Sequence, residues 1–212
     1  SSANGSKSTS HASGSGYIVH LDSHKLPTSI GNKARNLQVL RDQRLPVPDT
    51  FVCTWDAFLA YQQQGMVVLP RLRQELEKII KPGKFYAVRS SANVEDSLAH
   101  SFAGQFETIL DLAGVDQILQ AVCAIWDSTR SPGVQSYLHK IAQDSELLKM
   151  AVIIQEVVGR RHRGLFYPDL CGVARSYNFY PVSHAKPEDG VVELALGLGR
   201  TIVDEGTSWA FS

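Results

Sequence analysis

Residues 84–92 read Lys84-Phe85-Tyr86-Ala87-Val88-Arg89-Ser90-Ser91-Ala92. The apolar, aromatic run predicts a strand over Lys84 to Arg89, with the arginine at its end and two small hydroxyl residues after it. A second run, Met150 to Val158, is apolar except for Gln155 and Glu156, the pattern of a central strand covered on both faces. Thr50 to Cys53, Gly172 to Phe179 and Val191 to Leu194 add further strand signals, and Ser101 to Leu110 reads as a loop running into another strand.

Helical periodicity fills the intervals between these runs. Ala34, Leu37 and Leu40 recur on one helical face after Gly31-Asn32. Trp55 to Gln64 forms a second helix, with Thr54 placed to cap it and Gly65 to close it. Leu72, Leu76, Ile79 and Ile80 mark an amphipathic helix behind Pro70. Ile118, Leu119, Val122, Ile125 and Trp126 mark another, and Pro132 to Ala142 a further one. The expected architecture is α/β (α+β), a mixed sheet with flanking helices. Ser1 to Gly16 contains ten Ser or Gly in sixteen residues and reads as a flexible linker or expression leftover. Residues 17–212 are expected to form one domain, incomplete at the C-terminus.

Composition narrows the function classes. The 212 residues carry 21 Lys+Arg against 21 Asp+Glu, so no charge excess draws the chain to nucleic acid or an anionic membrane. No apolar run approaches the roughly 20 residues that cross a bilayer, and no secretory leader is read at the N-terminus. Three cysteines, Cys53, Cys123 and Cys171, are widely spaced without a CxxC pair, which favours a reducing, cytoplasmic setting. The seven histidines show no metal-like spacing. Motifs of the P-loop, dinucleotide-binding, zincin and hydrolase types are missing from the sequence.

Five segments carry chemistry of a consistent kind. Lys33 falls in the first turn of its helix, where mobile positive charge adds to a helix N-terminus suited to phosphate; the alternative is a solvated lysine. Arg89 offers a planar donor fork to phosphate oxygens, or else pairs with Glu95 or Asp96. In Ser101 to Thr108, Gly104 permits close backbone approach beside Gln105 and Thr108, whose neighbourhood can cradle phosphate; an ordinary hairpin is the alternative. Gln155 and Glu156 interrupt a buried strand and must find partners or a ligand. Glu193, in an apolar strand running into Gly197-Leu198-Gly199, is a candidate Mg²⁺ ligand or a partly exposed edge residue. Asp204 or Glu205 could supply a second oxygen.

Taken together, GNKARNL (31–37), LPVPDTF (45–51), FYAVRSSANVEDS (85–97), SFAGQFETIL (101–110), AVIIQEVV (151–158) and VELALGLGRTIVDEG (192–206) resemble a known family. Their order is similar to that in the N-terminal, ATP-grasp-type nucleotide-binding domain of phosphoenolpyruvate synthase and pyruvate phosphate dikinase, a domain shared with rifampin phosphotransferase. The resemblance implies ATP and Mg²⁺ as ligands and phosphoryl transfer to a histidine on a separate swivelling domain, then to pyruvate. It implies phosphate contacts for Lys33 and Arg89 and a lid bearing Gly104, Gln105 and Thr108. It places Gln155 and Glu156 in the strand whose edge faces adenine, and Glu193 at the metal, with Glu205 or Asp204 as a second donor. Asn32 stands where the family has a glycine, and Arg200 where it often has glutamate. Neither a phosphohistidine nor a pyruvate-binding segment is recognised, so the chain is expected to bind ATP without completing the reaction alone. An antibiotic or glucan acceptor, or a non-catalytic nucleotide-binding regulatory module, are the alternatives.

Overall fold

The computed structural model describes residues 16–93, 108–141, 148–181, 183–197 and 209–211. Two compact units divide the chain, Ser1–Val157 and Val158–Ser212.

In the first unit, β1 (Ile18–His20), β2 (Thr50–Cys53), β3 (Tyr86–Ala92), β4 (Thr108–Leu112) and β5 (Met150–Glu156) form a sheet in the order β1-β2-β5-β3-β4. The expected mixed sheet resolves into antiparallel pairing in every described ladder. The helices α1 (Gly31–Asp42), α2 (Trp55–Gln64), α3 (Leu69–Glu77), α4 (Gly114–Ser128) and α5 (Pro132–Ile141) lie between strands in sequence. The element order explains the pairing. β5 arrives last and inserts between β2 and β3, so it is central, and Met150 through Ile154 are all buried.

Alternation along the strands splits the core in two. Phe51, Cys53, Tyr86, Val88, Val152 and Ile154 pack with α2, α3 and α4, including Phe58, Leu72, Ile125 and Trp126. Val52, Ala151 and Ile153 pack on the other face with Ile30 and Ala34 of the α1 region. The α1 stripe is narrower than its periodicity suggests: Ala34 is buried, but Leu40 is 43% exposed. Gly65 does close α2, at φ +63° with its N–H bonded to the Tyr61 carbonyl. Thr54 holds the extended cap position of α2, yet its hydroxyl makes no capping bond. The neighbouring donors are met otherwise, because Trp55 N–H reaches the Ser29 carbonyl and Ala57 N–H the Thr54 carbonyl.

β3 runs three residues beyond its expected end, to Ala92, because its ladder with β5 continues through Ser90, Ser91 and Ala92. The three cysteines are unpaired, and burial pushes the Cys53 thiol well above its ordinary range.

The second unit contains a hairpin of β6 (Arg160–His162) and β7 (Leu165–Tyr167). Its other sheet has the order β10-β9-β8, from β8 (Leu170–Arg175), β9 (Val191–Leu196) and β10 (Trp209–Phe211), again antiparallel. β8 ends at Arg175, short of the expected Phe179: Asn178 turns inward, and its N–H bonds the Pro187 carbonyl. The expected strand Val191 to Leu194 extends to Leu196, and it is central rather than at an edge.

Candidate functional site

Lys33 and Arg89 are carried by two elements that pack on one another, the start of α1 and β3. Lys33 is the third residue of α1, and its Nζ lies 3.4 Å from Ser90 Oγ. Ser90 directly follows Arg89, which is half-buried. Register places Arg89 opposite Ile153 of β5 on one side and Thr108 of β4 on the other. Residues opposite one another share a sheet face, so the row Val52, Ile153, Arg89, Thr108 is apolar in the middle of the sheet and turns polar towards the β4 edge. That face is the one covered by α1, since Ile153 packs with Ile30 and Ala34.

The Arg89 guanidinium has no hydrogen-bond or ion-pair acceptor among the described residues. Glu95 and Asp96, its alternative partners by sequence, lie outside those residues. A half-buried guanidinium presents five donors in a planar fork, an arrangement suited to anionic oxygens.

The start of α1 is unusually tight. Gly31 has φ +75°, and a Cβ there would fall 2.1 Å from the Ser91 carbonyl oxygen. Only glycine combines that dihedral with that approach. Asn32, beside it, directs Nδ2 toward the Asn93 carbonyl at 3.5 Å. Asn93 is itself fixed, because its Oδ1 accepts from Lys149 N–H and its N–H donates to the Lys149 carbonyl. Asn32 thus links α1 to the end of β3.

Other expected residues fall elsewhere. Gln155 is flanked by Thr50 of β2 and Ala87 of β3, and its Nε2 donates to Thr50 Oγ1 at 2.9 Å. Glu156 pairs with Lys84. Both satisfy their buried-strand requirement within the protein, and the strand that carries them has neighbours on both sides there instead of an open edge. Glu193, in the second unit, accepts from Arg175 Nη1 at 2.7 Å. Among the described residues no three His, Cys, Asp or Glu side chains come together as a metal site. Glu193 has the hard oxygen that Mg²⁺ prefers, but its Oε2 is occupied by Arg175, so the described residues do not fit a preformed metal centre. Gly104, Gln105, Asp204 and Glu205 lie outside the described residues.

Two structural requirements of this region were missed from sequence. The buried Ser91 side chain anchors α1, and Gly31 must be glycine because of its positive φ and its approach to the Ser91 carbonyl. The available signal was Ile30, which stands at the helix start and cannot cap, so that a hydroxyl had to come from elsewhere.

The first turn of α1, bearing Lys33, thus lies against the Arg89-Ser90 step of β3. The chain matches the family described as pyruvate phosphate dikinase, AMP/ATP-binding domain, over residues 68–208, and it belongs to that family. Arg89, Thr108, Gln155, Glu156 and Glu193 fall within the matched range, and Lys33 precedes it. A probable phosphoenolpyruvate synthase of Archaeoglobus fulgidus is 27% identical over 228 residues, covering 88% of this chain and 29% of the relative. The phosphoenolpyruvate synthase of Aeropyrum pernix is 35% identical over 117 residues, 55% of this chain and 13% of the relative. A rifampicin phosphotransferase of Bacillus subtilis is 38% identical over 82 residues, 39% of this chain and 10% of the relative. The chain therefore spans less than a third of the length of these relatives. Among the described residues, no helix is long and apolar enough to cross a membrane.

Proposed function

We propose that the chain is the MgATP-binding part of a phosphoenolpyruvate synthase-like phosphotransferase. In this reading Lys33 and Arg89 grip phosphate oxygens and offset the charge that develops as the phosphoryl group leaves. Thr108 lies at the β4 edge of the same row. Gln155 and Glu156 border the nucleotide from β5. The phosphoryl group passes to a histidine on a separate domain of a longer protein and on to pyruvate or a related acceptor.

The observation that carries this reading is the convergence of the first turn of α1, bearing Lys33, with the Arg89-Ser90 step of β3. Magnesium accompanies the nucleotide and supplies charge neutralisation between phosphates. Glu193, whose Oε2 is taken by Arg175, does not offer it a preformed site. The acceptor is decided outside this chain, which accords with relatives named for both phosphoenolpyruvate synthesis and rifampicin phosphorylation.

Calorimetric titration with MgATP tests the site directly. Arg89→Ala is expected to keep its circular dichroism spectrum and bind about tenfold more weakly, roughly 1.4 kcal/mol. Equal affinity in the folded variant would remove Arg89 from the site. A phosphohistidine signal in the full-length protein separates a phosphotransferase from a nucleotide-binding regulatory module, which would bind ATP without one.

A further inference from the structure

Ser91 is fully buried on β3, 57 residues away in sequence from the helix it touches. Its Oγ donates to the Ile30 carbonyl at 3.0 Å and accepts from the Ala34 N–H at 3.1 Å. Those two groups are the acceptor and donor that the first i→i−4 bond of a helix joins. The serine hydroxyl therefore spans the opening turn of α1 and ties it to the sheet. Ile30, at the cap position, has no side-chain group for this purpose.

The turn held in this way is the one containing Lys33. Gly31 is pressed against the Ser91 carbonyl, at a distance no Cβ could share. Backbone contact at Gly31 and the two hydroxyl bonds at Ile30 and Ala34 thus bracket Asn32 and Lys33 on both sides. Ser91 also lies two residues from Arg89 on the same strand. One side chain consequently sets the position of the lysine-bearing turn relative to the arginine-bearing strand.

We propose that Ser91 is a positioning residue for nucleotide binding: its hydroxyl bridges Ile30 and Ala34 and so holds Lys33 in register with Arg89 for the phosphates. The inference rests on the MgATP reading above. It assigns to the second serine of the Arg-Ser-Ser step a task distinct from that of Ser90, which meets the lysine amine itself. An ångström-scale displacement of a phosphate-gripping cation is enough to spoil such a site.

The test uses Ser91→Ala, titrated with MgATP at a temperature where variant and parent are both folded. Affinity is expected to fall about tenfold, as for loss of a buried hydrogen-bonded link. In a Lys33→Ala background the same substitution should add less than about a twofold loss, because its effect passes through the lysine. Amide exchange at Ala34, followed by NMR, should accelerate in Ser91→Ala without any nucleotide present. Should Ser91→Ala fail to fold, Ser91→Cys fills the space with a weak donor and acceptor and is expected to show the same pattern. A lowered melting temperature with unchanged MgATP affinity would overturn the proposal and leave Ser91 a purely structural residue. So would full additivity with Lys33→Ala. Faster Ala34 exchange in a chain whose parent shows no MgATP binding would instead overturn the nucleotide reading, and the positioning role with it.

Discussion

The Thr54 hydroxyl is 1% exposed at residue level and has no hydrogen-bond partner among the described residues. It stands where a capping residue belongs, and a cap replaced by an apolar side chain ordinarily costs about 1 kcal/mol. Here the capping bond is not made, and the helix donors turn to the Ser29 and Thr54 carbonyls. The buried hydroxyl then carries a desolvation cost of about 1–3 kcal/mol with no bond to offset it. Thr54→Val preserves shape and removes that oxygen. It is expected to leave stability unchanged or raise it by up to about 1 kcal/mol, read from urea midpoints at constant m. A loss near 1 kcal/mol would restore Thr54 to a capping role. Position along the chain identifies a cap; only geometry tells whether the oxygen is used.

At the scale of elements, Asp49 joins three pieces of the first unit. Its Oδ1 meets His20 Nε2 of β1 at 2.8 Å, its Oδ2 meets Lys81 Nζ beyond α3 at 2.8 Å, and its carbonyl accepts from Glu156 N–H at the end of β5. The Lys81 hydrogen bond, more than burial opposes it, holds the Asp49 carboxyl below the ordinary carboxylate value, with His20 assisting. A depressed folded value means that the stabilisation is complete above the unfolded value near 4 and is lost as pH falls through the lower folded value. Asp49→Asn should therefore cost about 0.5–1 kcal/mol at neutral pH, the scale of solvent-accessible pairs. The variant and parent stability curves should converge as pH falls below about 4. Parallel curves down to pH 2 would show that the carboxylate contributes nothing to acid unfolding.

Elements were also where the sequence was most readable. The 3.6-residue spacing of Ile118, Val122, Ile125 and Trp126 and the two-sided apolar run of β5 depend only on local pattern, and both are found in place. The Ser91 link to α1 was not legible, because it joins positions 57 apart through a side chain whose type is common in loops. Gln155 and Glu156 show the opposite failure. Polar residues in a buried strand signal a partner, but not whether that partner is a ligand or, as here, Thr50 and Lys84. The residues Lys33 and Arg89 could be named from local context, whereas the contact of Lys33 with Ser90, the residue after Arg89, required the packing of α1 on β3.

On the scale of the whole molecule, burial is distributed unequally between the two units. Among the described residues, Ala195 is the sole buried apolar side chain after Val157, while both core clusters lie before it. In 158–212, Leu170, Phe179, Tyr180 and Leu196 are exposed, and the described elements there are short strands and one turn of 3₁₀ helix. Ordering each residue costs about 1–2 kcal/mol of backbone entropy, which a sheet offsets only by packing a face. The first unit, by contrast, buries Trp126 against Tyr61 and Phe58, with ring centroids 5.1 and 6.3 Å away. A polypeptide of residues 1–157 is therefore expected to unfold in one cooperative transition, with a near-ultraviolet signal from Trp126 that disappears at the same temperature. Residues 158–212 alone should show neither cooperativity nor fixed aromatic signals. Cooperative unfolding of 158–212 by itself would mean that its three-stranded sheet holds a core of its own. Loss of the transition in 1–157 would mean that the second unit supplies stability to the first. Lys33, Arg89 and Ser91 all lie within 1–157, so the expected result would also keep the proposed phosphate-gripping residues on the unit that folds independently.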